Sequence, residues 1–233
     1  MKKIIIASTS TIHGSGYLEY LLPELKSFFK GIDELLFIPY ARPSGMSYNA
    51  YTKVASVTLK KIGISLKGIH QFNNAQDAVK NAQAIFVGGG NTFVLVEELY
   101  RQGLISILKE KMVSGTPYLG TSAGSNICGL TMQTTNDMPI VYPQSYKTLE
   151  LISFNINAHY LDPDPTSTHK GETRETRIKE FHIYNDIPVL GLREGSWLEV
   201  DGDEIILKGK LQARLFKQNK IPVELLSGSK IVI

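Results

Sequence analysis

The sequence predicts an α/β fold: a three-layer sandwich around a mainly parallel sheet, closed by a C-terminal antiparallel meander. Three observations lead there. Short, nearly continuous apolar runs recur up to Leu190, as strands buried on both faces require. Segments with helical spacing lie between those runs. Beyond Leu190 the pattern changes to short alternating stretches separated by "DGD", "KGK" and "SGS", the mark of tight antiparallel turns.

Taken in order, "KIIIAST" is the first strand, and "YLEYLLPELKSFF" follows as a helix with Leu18, Leu21, Leu22 and Leu25 on one stripe. "ELLFIPYA" is the second strand. "YTKVASVTLKKIG" sets Ala55, Leu59 and Ile62 on a helical stripe, with Gly63 as its stop. "AIFVGG" is a strand, and "TFVLVEELYRQGLISILKEKMVSG" supplies one long helix or two short ones broken around Gly103. "PYLGTS", "LISFNI" and "IPVLGL" are further strands. The alternation is that of a parallel sheet with crossover helices. No linker, repeat or low-complexity tract interrupts it, so one domain spanning 1–233 is expected, with the meander on its edge.

The totals agree. The chain has 233 residues, 42% hydrophobic and 20% charged, enough for a large core. Net charge is +3, and lysine and arginine never run more than two in a row. That pattern lacks the dense stripe needed to track phosphates, so no nucleic-acid partner is expected. The single cysteine, Cys128, excludes an internal disulfide framework and a cysteine-based zinc site. The patch "IIIA" is shorter than the roughly 7–15 residues of a signal-peptide core. No apolar stretch nears the roughly 20 residues of a membrane span. A soluble, cytoplasmic protein without a membrane partner is expected.

Chemistry concentrates in two glycine-rich turns. In "PYLGTSAGSNICGL" a strand runs into "GTSAG" and then into a helix-like segment. A nucleophile elbow needs small residues two before and two after the nucleophile, because the strained backbone passes close to its neighbours. Gly120 and Gly124 meet that demand, which makes Ser122 the candidate nucleophile and the N–H of Ala123 an oxyanion donor. "AIFVGGGNTF" also joins a strand to a helix and offers Gly89 or Gly90 as a second donor. Its rival reading, a phosphate loop, lacks the lysine of the P-loop and the full dinucleotide fingerprint.

A serine hydroxyl needs an imidazole to take its proton and a carboxylate to orient that imidazole. Of five histidines, His13, His70 and His182 read as structural, and His169 in "STHKGETRE" is an exposed polar residue. His159 ends the apolar segment "LISFNINAHYLDP", at the strand edge where active sites of open α/β sheets collect, and is the candidate base. Asp137 in "TTNDMPI" and Glu194 in "VLGLREGS" are both candidates for the carboxylate. Spacing does not choose between them.

With these segments assembled, the chain resembles the peptidase E family of serine peptidases, the α-aspartyl dipeptidases, which also holds cyanophycinase. The resemblance rests on "FVGGGNTF", "GTSAGSN", "TTNDMPI", "FNINAHYLDP" and "HKGETRETRIKEF", which occur in the family's order over nearly the whole chain. It implies a fold like that of the class I glutamine amidotransferases and a cytoplasmic hydrolase that cuts dipeptides with N-terminal aspartate, without metal or cofactor. It carries Ser122 over as nucleophile and His159 as base, and it marks both Asp137 and Glu194. Alongside it, "GETRETRIKEF" offers Arg174 to hold the substrate carboxylate, Arg177 one helical turn on, and Glu172 for the free α-amino group, with His169 nearby. A homodimer is allowed, but no feature of the sequence fixes the oligomeric state.

Three other readings compete. A small α/β-hydrolase esterase has the order Ser…Asp…His, which Ser122, Asp137 and His159 satisfy, though serine and acid stand close for that fold. Glutaminase-like domains place cysteine at the elbow, where this chain has Ser122, and Cys128 reads as a packing residue about two turns into the next helix. A non-catalytic ligand-binding relative would keep the cleft without the chemistry.

Overall fold

The computed structural model describes residues 1–233 except 165, 167, 169 and 170. In chain order the strands are β1 (Lys3–Ala7), β2 (Glu34–Ile38), β3 (Ser65–Gly68), β4 (Ile85–Val87), β5 (Tyr118–Thr121), β6 (Asn155–Ala158), β7 (Val189–Leu192), β8 (Ser196–Asp201), β9 (Glu204–Gly209), β10 (Ala213–Phe216) and β11 (Val223–Leu225). The α-helices are α1 (Leu22–Phe28), α2 (Tyr48–Leu59), α3 (Ala75–Asn81), α4 (Thr92–Arg101), α5 (Ile105–Val113), α6 (Ala123–Asn126) and α7 (Arg174–Tyr184).

The main sheet has the order β3-β2-β4-β5-β1-β8-β9. Its first five strands are parallel, and β8 and β9 add antiparallel pairs. Because side chains alternate across a strand, β1 feeds two cores at once. Ile5 and Ala7 pack with Leu25 of α1 and with Tyr51, Ala55 and Leu59 of α2. Ile4 and Ile6 face the other way, into the core shared with α3, α4 and α5. All of these side chains but Tyr51 are wholly buried, each leucine and isoleucine contributing roughly 1.5–3 kcal/mol.

A second sheet, in the order β11-β10-β7-β6, lies against the α3–α5 face through Ile156, Leu190 and Leu192. Within it β6 and β7 are parallel and the other pairs antiparallel. The expected meander is therefore divided. The β8–β9 hairpin extends the main sheet, while β10 and β11 complete the second one. β8 pairs antiparallel with β1, whereas β10 pairs antiparallel with β7, and β8 alternates buried Ser196, Leu198 and Val200 with more open residues, as an antiparallel strand covered on one face does.

Two helices differ from the sequence expectation. The segment at 17–29 is not one helix. Leu18 is left-handed at φ 57, a 3-10 turn spans Glu19–Leu21, and α1 starts afresh with Pro23 in its first turn, where the missing N–H costs nothing. The helix after "GTSAG" is a single turn. Beyond it the carbonyls of Ile127, Cys128 and Gly129 accept bonds from the N–H groups of residues 149–152, so Cys128 lies past the helix and is buried. The break at Gly103 and the stop at Gly63 occur as expected. Among the described residues no helix is long and apolar enough to cross a membrane.

Candidate active site

The site forms at the carboxyl ends of β5, β4 and β1, roofed by the ends of β6 and β7. Ser122 directly follows β5 with φ 54 and ψ −112, a backbone strain that L-residues hold only when their surroundings enforce it. The flanking glycines supply that enforcement. A Cβ on Gly120 would stand 2.4 Å from the Gly124 carbonyl oxygen, and one on Gly124 would stand 2.2 Å from the Val87 oxygen. Neither position has room for a side chain. Ser125 secures the turn by placing its hydroxyl 2.6 Å from Ala7 O and 2.9 Å from Gly120 O.

His159 follows β6 and also has a positive φ, 55°. Its N–H donates to Ser8 Oγ at 2.9 Å, and the Ser8 hydroxyl donates to Leu192 O at 2.7 Å. Ser8, just past β1, thus joins the ends of β1, β6 and β7 and aims the imidazole across the sheets. His159 Nε2 lies 2.9 Å from Ser122 Oγ, and Nδ1 lies 2.6 Å from Glu194 Oε1. Nucleophile candidate, base candidate and orienting carboxylate stand in one hydrogen-bonded series.

The carboxylate in that series is Glu194, not Asp137. Asp137 Oδ2 accepts from Thr92 N at 2.8 Å, Thr92 Oγ1 at 2.6 Å and Thr135 Oγ1 at 2.8 Å. It closes the N-terminus of α4, where unpaired N–H groups favour a negative charge. The "TTND" segment is strapped along β6: Asn157 Nδ2 donates to Thr134 O at 2.7 Å, and Asn136 Nδ2 donates to Ala158 O at 2.8 Å. Asn126, of the elbow helix, donates to Thr92 Oγ1 and Thr135 Oγ1 and accepts the N–H of Ala158. Asp137 is therefore the hub of a polar network that joins α4, α6 and the strand leading to His159. The order Ser122, His159, Glu194 is also not the α/β-hydrolase order, which removes the geometric support for an esterase of that fold.

The two glycine candidates for the oxyanion separate in the same way. Gly89 packs on the nucleophile, since a Cβ there would be 2.9 Å from Ser122 Cβ. Its N–H, however, donates to Tyr51 Oη at 2.9 Å, and the Tyr51 hydroxyl returns a bond to Gly89 O at 3.2 Å. Among the described residues the N–H groups of Gly90 and Ala123 have no hydrogen-bond partner. Because α6 has one turn, its dipole is small, and these free N–H groups are the stronger resource for a developing negative charge.

Arg174 opens α7, capped by Thr173, whose side chain accepts from Thr176 N. It is half-buried and, among the described residues, forms no ion pair. Burial and then the Arg177 charge lower its pKa, against the opposing pull of Asp137. A half-buried cation beside another cation, and without a counter-ion among the described residues, suits an incoming anion. Arg177 and Glu172 face each other instead, 3.7 Å apart and both largely exposed. His169 lies outside the described residues. His182 is buried and bonded to Ile187 O; His70 bonds Asn49 through Nε2, while its Nδ1 is buried without a partner among the described residues, and neither joins the Ser122–His159 series.

Two tyrosines escaped the sequence reading. Tyr51 sits four residues before Ala55 on the stripe of α2, so its burial was readable, but the bond from its hydroxyl to the glycine turn was not. Tyr20 donates to Thr9 O at 2.7 Å; burial, and secondarily the Glu194 charge, push its phenol well up.

Comparison with known proteins gives a consistent match. The model of peptidase family S51 matches residues 4–208. Peptidase E of Streptomyces coelicolor is 48% identical over 228 residues, 98% of this chain and 93% of that protein. The protein named probable alpha-aspartyl dipeptidase of Drosophila melanogaster is 44% identical over 219 residues, 93% and 90% of the two chains. The crystal structure of a peptidase from an acI-B1 Actinobacterium superposes with a TM-score of 0.75 at 18% identity, covering 100% of this chain and 97% of that one, a likeness of fold.

Proposed function

The chain belongs to peptidase family S51, and from that membership we propose that it is a serine dipeptidase that hydrolyses dipeptides beginning with aspartate. The names of its relatives, peptidase E and probable alpha-aspartyl dipeptidase, support this reading. The observation that carries the chemistry is the series Ser122 Oγ, His159 Nε2, His159 Nδ1, Glu194 Oε1, with links of 2.9 and 2.6 Å.

In the proposed reaction His159 Nε2 takes the Ser122 proton as Oγ attacks the peptide carbonyl. Glu194 holds the imidazole in the tautomer with Nδ1 protonated and stabilises the imidazolium. The oxyanion is received by the N–H groups of Gly90 and Ala123. His159 then gives its proton to the departing amine as the C–N bond breaks. Water, deprotonated by the same imidazole, cleaves the acyl ester and releases aspartate. Arg174 receives the aspartyl side chain, because a planar guanidinium matches a carboxylate in charge and shape. Glu172 is the acceptor proposed for the substrate amine, once it leaves Arg177. A cytoplasmic location completes the proposal.

The test is a panel of dipeptides X-Leu that differ in the first residue alone. Asp-Leu should be cut at least about 100-fold faster, in kcat/KM, than Asn-Leu or Ala-Leu, which leave the half-buried Arg174 cation without a counter-charge, and at least about 10-fold faster than Glu-Leu, whose extra methylene misplaces the carboxylate. Equal rates across the panel would refute the specificity.

A further inference from the structure

Outside the residues assigned above, the densest charged cluster surrounds Arg193, directly before Glu194. All five of its N–H donors are used. Nε and Nη2 bind Asp162 at 2.8 and 2.7 Å, Nη1 and Nη2 bind Glu224 at 2.8 and 3.0 Å, and Nη1 also reaches Gln212 O at 2.9 Å. The Arg193 side chain is 14% exposed, although Asp162 and Glu224 are open to solvent. Its guanidinium carbon lies 5.4 Å from the centroid of the Tyr160 ring. Arg214 stands beside it, within 3.8 Å of Asp162 and 3.4 Å of Glu175, and so reaches the first turn of α7.

The chain positions of these partners carry the argument. Tyr160 and Asp162 are the first and third residues after His159, and Arg193 is the residue before Glu194. The imidazole and its carboxylate leave their strands at the paired ends Ala158 and Leu192, beyond which the ladder no longer fixes them. Past that point Tyr160 N still bonds Leu192 O, and the Arg193 carbonyl closes a turn onto Ser196 N with Glu194 inside it. The Arg193 fork then spans the gap to Asp162. A planar bidentate contact fixes orientation as well as distance, which a lysine at this place would not do.

We propose that Arg193 is a positioning residue: by clamping Asp162 and covering Tyr160 it holds the His159 loop and the Glu194 turn in the register that makes the 2.6 Å bond between them. The inference rests on the roles proposed above for His159 and Glu194. It predicts that loosening the clamp costs mainly turnover, because among the described residues Arg193 itself makes no bond to α7, and Arg214 keeps its own pair with Glu175 in the turn that carries Arg174.

The experiment compares native protein with Arg193→Met and Asp162→Asn by two readouts. One is the low-field proton resonance of His159 Nδ1–H, which reports the bond to Glu194 whether or not Asp-Leu is the substrate. The other is kcat and KM for Asp-Leu. Arg193→Met should broaden or abolish the resonance and lower kcat on the order of 10- to 100-fold with KM within about twofold, since small misplacements of catalytic groups carry such penalties. Asp162→Asn retains the bonds from Arg193 to Glu224 and should move both readouts in the same direction by less, and it decides the matter if Arg193→Met does not fold. A folded variant with the native resonance and native kcat would overturn the assignment. Native protein that leaves Asp-Leu intact, yet loses the resonance on substitution, would refute the proposed substrate and leave the clamp standing.

Discussion

His159 Nδ1 and Glu194 Oε1 lie 2.6 Å apart, each one or two residues beyond the paired ends of the adjacent parallel strands β6 and β7. Parallel neighbours deliver their carboxyl ends to the same edge, so two residues far apart in sequence meet there without a long loop. That arrangement distinguishes the two acids sharply. Glu194→Gln should lower kcat by roughly 10²- to 10⁴-fold at unchanged thermal stability, because it strips the imidazole of its counter-charge. Asp137→Asn should act mainly on stability, costing roughly 1–3 kcal/mol through the network at the start of α4. Steady-state kinetics and a melting curve for each variant check this; the reverse pattern would return the catalytic role to Asp137.

Arg174→Met should raise KM for Asp-Leu at least tenfold while changing kcat/KM for Ala-Leu by less than about twofold. The reason is that a half-buried guanidinium helps only a substrate that brings a carboxylate. Kinetics on the two peptides test it. An equal fall on both would make Arg174 a structural cap residue of α7.

Much of the architecture was readable because burial writes itself into the sequence. β1, β2, β4, β5 and β7 are apolar runs buried on both faces, and each begins or ends within a few residues of its run. β3 was not visible: "SLKG" is a half-exposed edge strand with no apolar run to mark it. That Ser122 and His159 would meet was readable from the glycines around one and the strand before the other. The choice between Asp137 and Glu194 was not, because both follow plausible strand or helix ends and only the register of β6 beside β7 separates them. The same holds for Gly89 and Gly90. Which N–H is spoken for depends on a tyrosine that arrives from α2.

The acid side of stability should report the Arg193 clamp. The Arg193 guanidinium beside Asp162 holds its carboxyl below the usual carboxylate range. A carboxyl with a depressed folded pKa binds fewer protons native than unfolded. Its contribution is therefore whole above its unfolded value, about pH 3.9, and is lost as pH falls through the lower folded one. Melting temperatures of native protein and Asp162→Asn should differ at pH 6, and the difference should shrink progressively as pH falls below about 3.9. A gap that persists undiminished in acid would show that the Asp162 charge is not what matters.

The most direct test of the central claim, that the Ser122 hydroxyl is the nucleophile, is the rate of Asp-Leu hydrolysis by Ser122→Ala beside the native protein. The substitution removes one oxygen from a half-buried site, so the melting curve should be nearly unchanged while kcat falls by at least about 10⁴-fold. A folded Ser122→Ala protein that keeps more than about one hundredth of native turnover would contradict the account.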